Sequence, residues 1–290
     1  MMATLRPLLK AIVPPIVWLA VKKLVEPKQT QLPDWELCPN GFDNTHARGW
    51  NLARVAASER SRFADFRAQV VAPAVLAAAH EVDDVRMEFS WAHNLAITWG
   101  YVLARAAVGK PQLNVLDWGG GLGHSFLLAR SLWPELALSY CIKDLPEMVK
   151  AGRELLPEVR FVDSDADAFT QRYDLVIASG SMHYAVEWRT QLKLLANAAT
   201  QWLYITRLPT LIQANSYVFV QRVRGLGYDT EYLGWSLNRH EFLTAVSELG
   251  LVLEREFLVD EVAPAQNAPE PGRYRGFLFR RADSAPASAE

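Results

Sequence analysis

The stretch "NVLDWGGGLGHS", residues 114–125, decides how this chain is read. An apolar, strand-like run ends on Asp117 and Trp118, four glycines then fall in five positions, and "SFLLARSL" continues as a helix that Pro134 stops. Outward from this turn the same rhythm repeats. "LALSYCIK" precedes "PEMVKAGRELL", "VRFVDS" follows, "YDLVIAS" precedes "WRTQLKLLANAA", and "QWLYIT" is a fifth strand candidate. Short apolar, β-branched runs alternating with amphipathic stretches predict a parallel sheet covered on both faces. Beyond an insertion over 207–240, "NRHEFLTAVSELG" predicts a helix closed by Gly250, and "LVLEREFLV" and "YRGFLFRR" predict two antiparallel strands. Between Trp35 and Lys110 the chain reads helical without a clear strand, best in "RFADFRAQVVAPAVLAAAHEV" and "FSWAHNLAITWGYVLARAAVG". The expected organisation is a segment over 1–30, a helical cap over 31–110, an α/β domain over 111–282 and a disordered tail over 283–290.

Three ligands compete for the glycine turn. A phosphate loop needs G-x-x-x-x-G-K-[ST], and no Lys-Ser or Lys-Thr follows here. The dinucleotide fingerprint G-x-G-x-x-G fails because its third glycine is His124. The residues spell D-x-G-x-G-x-G, with Asp117, Gly119, Gly121 and Gly123, and Gly120 beside them. Alternate glycines let the backbone bend sharply and approach a ligand closely. The helix N-terminus behind them can receive a carboxylate, and the acid can take an ammonium. That combination suits S-adenosylmethionine. The next strand ends agree with it. Asp144, before Leu145, stands 27 residues after Asp117, where an acid can accept ribose hydroxyls; Asp163 or Asp165 ends the third strand and can face an adenine amino group. Ser179 ends the fourth strand at the same edge.

On these motifs the chain resembles the class I S-adenosylmethionine-dependent methyltransferases. More narrowly, "FSW", "NVLDWGGGLG", "PEMV", "YDLVIASGSMHY", "TRLPT" and "LNRHEFLTAVSELG" are similar to a family of bacterial methyltransferases associated with surface-polysaccharide gene sets. The resemblance implies a Rossmann-like, seven-stranded, mostly parallel sheet with the last strand antiparallel. It also implies S-adenosylmethionine as methyl donor and S-adenosylhomocysteine as product. That family tends to carry Glu where this chain has Asp144, so the ribose contact would use a shorter arm.

Methyl transfer from a sulfonium draws its rate from positioning and desolvation, and a hydroxyl acceptor also needs a general base. His183 in "SGSMHYAVEW" is the first candidate base, with Tyr184 and Trp188 walling the methyl site and Glu187 orienting the imidazole. His124, at a helix N-terminus that disfavours imidazolium, is the second. Arg207 after the fifth strand can clamp an anionic acceptor, and a surface ion pair is the alternative. Trp91 and His93 can close the pocket, and Arg222 and Arg224 on "YVFVQRVR" can cover it or pair with a second copy.

Composition narrows the partners. The net charge of −2 leaves no basic field for nucleic acid, and Cys38 and Cys141 have no metal-ligand spacing, so no metal is expected. Residues 1–30 carry five basic side chains and one acid around "AIVPPIVWLAV", which is too short to span a bilayer. A helix over 16–25 can lie at a membrane interface or pack on its own domain, so residues 6–28 are a candidate peripheral membrane contact. The expected protein is a cytoplasmic methyltransferase, free or peripheral on the inner membrane face, acting on a small-molecule or glycan acceptor, monomeric or a homodimer. The resemblance favours O-methylation of a saccharide or glycan precursor. The rivals are an aromatic-metabolite O-methyltransferase, which Asp144-Leu145-Pro146 resembles, and a non-catalytic cofactor-binding scaffold.

Overall fold

A computed structural model of the chain describes residues 32–43, 49–72, 90–224 and 228–282. The proposed interfacial helix over 16–25 and the tail over 283–290 lie outside the described residues. Among the described residues, two α-helices precede the central strands, α1 (Ala53–Val71) and α2 (Ser90–Ala106). Val71 ends α1 two residues before Pro73, whose ring cannot continue a helix. The helix therefore starts and stops earlier than "RFADFRAQVVAPAVLAAAHEV" predicts, and residues 73–89 of that region are outside the described set. A short strand, β1 (Trp35–Leu37), corrects the reading of an all-helical cap.

The predicted alternation follows: β2 (Gln112–Trp118), α3 (His124–Leu132), β3 (Ala137–Lys143), α4 (Pro146–Leu155), β4 (Arg160–Val162), α5 (Asp165–Ala168), β5 (Tyr173–Ser179) and α6 (Trp188–Ala198). Then come β6 (Ala199–Leu211), β7 (Tyr217–Val223), β8 (Thr230–Asn238), α7 (Arg239–Glu248), β9 (Leu251–Ala263) and β10 (Gly272–Arg281). Strands β4, β3, β2, β5 and β6 lie side by side in parallel; β10 pairs antiparallel with β6 and with β9. Among the described residues the sheet has ten strands rather than the seven expected, mixed in direction with a parallel centre. The insertion over 207–240 contributes the antiparallel pair β7–β8, which β1 extends on one side and β6 joins on the other.

The central strands are apolar on both faces because both are covered. Val115, Leu175, Ile177 and Tyr204 pack under α1–α4, while their chain neighbours Leu116, Val176, Ala178 and Ile205 pack under α6 and α7. This is the period-two alternation of a strand with no solvent face. "TRLPT", expected after the fifth strand, is part of β6. Its Pro209 has no N–H to give and sits where β10 is the neighbour and β8 joins only from Thr210. Among the described residues no helix is long and apolar enough to cross a membrane.

Candidate active site at the carboxyl edge

The glycine turn is built as its spacing predicts. Gly119, Gly121 and Gly123 all have positive φ, at 74°, 57° and 98°. Each serves a different neighbour. A Cβ on Gly119 would stand 2.3 Å from the Ser181 Cβ, and one on Gly123 would stand 2.4 Å from the Leu156 Cδ1. On Gly121 a Cβ would meet nothing closer than the His124 Nδ1 at 3.8 Å, because this glycine faces open cavity. Gly120 presses on Asp117, whose carboxyl carbon would lie 2.6 Å from an added Cβ.

Asp144 holds the turn in place. Its Oδ2 accepts the Gly121 N–H at 2.7 Å, and its Oδ1 accepts the Leu145 N–H at 2.7 Å. The shorter aspartate arm thus reaches the glycine backbone directly. Burial raises the Asp144 pKa against these two bonds. Asp117 is fully buried, accepts the Tyr140 hydroxyl at 3.0 Å through Oδ2, and has no partner for Oδ1. Burial pushes its pKa up to about 7, although hydrogen bonds from Tyr140 and Ser125 oppose the shift.

A cavity of about 1100 Å³ opens along this edge. Asp117, Gly119, Gly120, Gly121, Asp144 and Leu145 line one end, and Ser179, His183, Tyr184 and Arg207 stand on its wall, with His124 also lining it. Four predicted residues are elsewhere. Asp163 is exposed and lines no part of the cavity, and Asp165 is held outside it by the Trp118 Nε1 at 2.8 Å and by Lys143 at 3.4 Å. Trp188 is buried against Phe242, because as the first residue of α6 it turns towards the core. Gly123 is sealed under Leu156, Ile142 and Phe161 and acts on the turn rather than on a ligand.

His183 sits in a 3-10 turn, Met182–Tyr184, and is only 2% exposed. Both its ring nitrogens lack a partner, so Glu187 does not orient it as expected. Aromatic rings surround it, with Tyr184 at 4.0 Å and Tyr274 at 6.1 Å between centroids. Burial, helped by the nearby Arg207 charge, drops its pKa to about 3, far from the neutral range expected of a base. His124 packs edge-on against Phe66 at 4.7 Å and Phe63 at 5.5 Å. Arg222 pairs with Glu36 and Glu231, and Arg224 with Asp34, so both serve the β1–β7–β8 extension.

Several lining residues carry no signal in sequence. Trp50 stacks on Tyr232 at 3.7 Å and meets Tyr184 and Tyr228 at their edges. These rings come from the segment before α1, from the turn after β5 and from the β7–β8 hairpin, so only folding joins them. Glu59 of α1, Trp91 of α2, Glu261 of β9 and Tyr274 of β10 also face the cavity. Trp91 was foreseen as a closing residue; His93 does not line the space.

The comparisons with known proteins agree with this architecture. No family model matches the chain. Over 113 residues, 38% of this chain, it is 27% identical to a trans-aconitate 2-methyltransferase of Klebsiella pneumoniae (strain 342). Over 92 residues, 29% of this chain, it is 34% identical to a protein of the same name from Enterobacter sp. (strain 638). The chain spans less than half the length of these curated relatives, 44% and 36% respectively. Among solved structures, one from Galdieria sulphuraria described as a sarcosine dimethylglycine methyltransferase superposes with a TM-score of 0.50 at 15% identity, covering 78% of this chain and 99% of that one. The fold is therefore the α/β methyltransferase fold.

Proposed function

We propose that this chain is an S-adenosylmethionine-dependent methyltransferase acting on an oxygen of a small-molecule acceptor. The observation that carries the reading is the turn of alternate positive-φ glycines, tied by Asp144 and opening onto a large cavity at the carboxyl edge of the sheet. The two partial relatives support methyl transfer without supplying an acceptor.

The residues present fit the cofactor. Gly121 leaves space where any side chain would intrude, Asp117 Oδ1 is an orphaned buried acceptor, and Asp144 lines the cavity. Asp144 would hold the ribose, the turn and the α3 N-terminus would face the methionine carboxylate, and Asp117 would face its ammonium. Leu145 and Ser179 would complete the wall. When bound, the cofactor supplies an electrophilic methyl on a sulfonium.

The acceptor end is desolvated by Trp50, Tyr184, Tyr228 and Tyr232, which exclude water from the displacement. His183 offers one donor and one acceptor nitrogen as a neutral imidazole. With so low a pKa it orients an acceptor hydroxyl by hydrogen bonding and does not hold a second, abstracted proton near neutrality, which recasts the expected base as a positioning group. The saccharide or glycan-precursor acceptor remains our finer proposal, and it rests on the sequence resemblance. The parallel Trp50–Tyr232 stack favours the second reading, a flat aromatic acceptor.

Calorimetric titration with S-adenosylmethionine and S-adenosylhomocysteine tests the cofactor, with Asp144→Ala and Gly121→Val as controls. Micromolar binding lost in both variants supports it; no binding by folded wild type refutes it. Binding without turnover on any acceptor would favour the scaffold. We further propose that residues 6–28, outside the described residues, contact anionic lipid from the cytoplasmic side. Equal flotation of full-length and residue-30-truncated protein on anionic liposomes would refute that. Pairing of two copies is likewise a proposal, and sedimentation as a monomer would refute it.

A further inference from the structure

Strand β6 is interrupted where it pairs with β10, and this break aims a side chain into the cavity. Leu208 pairs with Arg275 and Ile205 with Phe277, so Thr206 and Arg207 together face Gly276. This is a β-bulge, a device that re-aims side chains beside functional sites. Arg207 takes φ 49°, a left-handed conformation that an L side chain rarely adopts. Its surroundings hold it there. Glu261 on β9 grips the guanidinium side-on, Nε to Oε2 at 3.1 Å and Nη2 to Oε1 at 3.0 Å, and Trp91 lies 4.7 Å from it. Gly180, itself at φ 66°, lies beside it, and a Cβ there would make only ordinary contact with the Arg207 side chain at 3.7 Å. All of these residues line the cavity, beside the nine-tenths-buried and unpartnered His183.

The charge balance of this end is unusual for an anion clamp. Lys143 stands with Asp144 at the cofactor end and pairs with Asp165. Among the described charged residues lining the remainder, Arg207 is paired with Glu261, Glu59 is paired with Arg62 at 3.7 Å, and Glu187 is exposed. A polyanion would therefore find no uncompensated positive charge at this end, the Arg207 charge being already met by Glu261. An uncharged group with donors and acceptors side by side, such as a vicinal diol or a carboxamide, can accept from the guanidinium and donate to Glu261 at once.

We infer that the Arg207–Glu261 pair is the acceptor-recognition element and selects an uncharged hydrogen-bonding group, Glu261 excluding polyanions. This rests on the reading above that this end of the cavity receives the acceptor. It replaces the anion clamp first expected of Arg207.

The test uses succinamide and succinate, which share a skeleton and differ in charge, bound to the full chain at neutral pH and followed by saturation-transfer NMR. Wild type should bind succinamide at least about tenfold more tightly than succinate. Glu261→Gln should erase or invert that ratio, and Arg207→Met should weaken both fragments. Tighter binding of succinate by wild type, or binding of neither fragment, would overturn the proposal. If Glu261→Gln fails to fold by circular dichroism, the wild-type ratio still decides. Binding of S-adenosylhomocysteine, measured separately by calorimetry, reports on the cofactor reading, so either inference can fail while the other stands.

Discussion

Two glycines of one turn have different duties, and substitution should separate them. Alanine at 123 would combine a left-handed φ of 98° with a Cβ 2.4 Å from Leu156 and 3.2 Å from Ile142. Gly123→Ala should lower unfolding free energy by about 2–4 kcal/mol in urea titration. Gly121→Ala meets open space, so it should cost only about 1–2 kcal/mol while abolishing S-adenosylhomocysteine binding in calorimetry. His183 makes a pH prediction. Its folded pKa of about 3 lies below the ordinary 6.5, so the unfolded chain takes a proton that the folded chain refuses. The stability of the neutral, buried ring is fully present above 6.5 and drains as pH falls towards 3. His183→Gln should flatten that acid limb in melting curves. Asp117 runs the other way: its folded pKa, raised from 3.8 to about 7, makes it a stabilising neutral acid whose contribution is lost as pH rises through 7. A cationic ligand group beside it favours the carboxylate. Cofactor binding should therefore release protons and tighten as pH rises to about 7, and Asp117→Asn should remove both effects in calorimetry across buffers of different ionisation enthalpy.

Among the elements, the bulge in β6 and the β7–β8 hairpin do most to shape the cavity. The bulge depends on Gly276 in β10, where an added Cβ would stand 2.8 Å from the Thr206 Oγ1. Gly276→Ala should cost about 1–3 kcal/mol, and the double variant with Thr206→Ala should recover most of it. Failure of the second change to compensate would mean that the glycine serves the backbone instead. The hairpin brings Tyr232 onto Trp50 and carries Gln221, whose Oε1 accepts the Tyr184 hydroxyl at 3.2 Å. Arg222 and Arg224, which alternation places on one face, anchor β7 to Glu36, Glu231 and Asp34.

Across the whole molecule, the proposed cofactor end lies between strands adjacent in the sheet, β2 and β3, while the proposed acceptor end collects α1, α2, the hairpin, β9 and β10. Ligand binding at such a junction favours the folded state by mass action. S-adenosylhomocysteine at a hundredfold excess over its Kd should add about 2.7 kcal/mol to unfolding free energy. Absence of any melting shift at saturation would contradict the proposed cofactor site.

The turn, the alternation of strands and helices, and the run of acids at strand ends are all legible in the amino-acid order. Each is written in neighbouring residues: left-handed φ needs glycine, and a strand covered on both faces needs a continuous apolar run. That order also placed His183, Arg207 and Asp144 on the cavity wall, since strand ends share one edge. It misplaced Asp165 and Trp188, whose sites depend on Lys143, Trp118 and Phe242 elsewhere in the chain. It carried no sign of Glu261, Glu59, Trp50 or the bulge that turns Arg207 inward. Tertiary structure alone decided these, and with them the low pKa of His183. Desolvation, stacking and ion pairing depend on which distant segments pack together, and no local spacing encodes that.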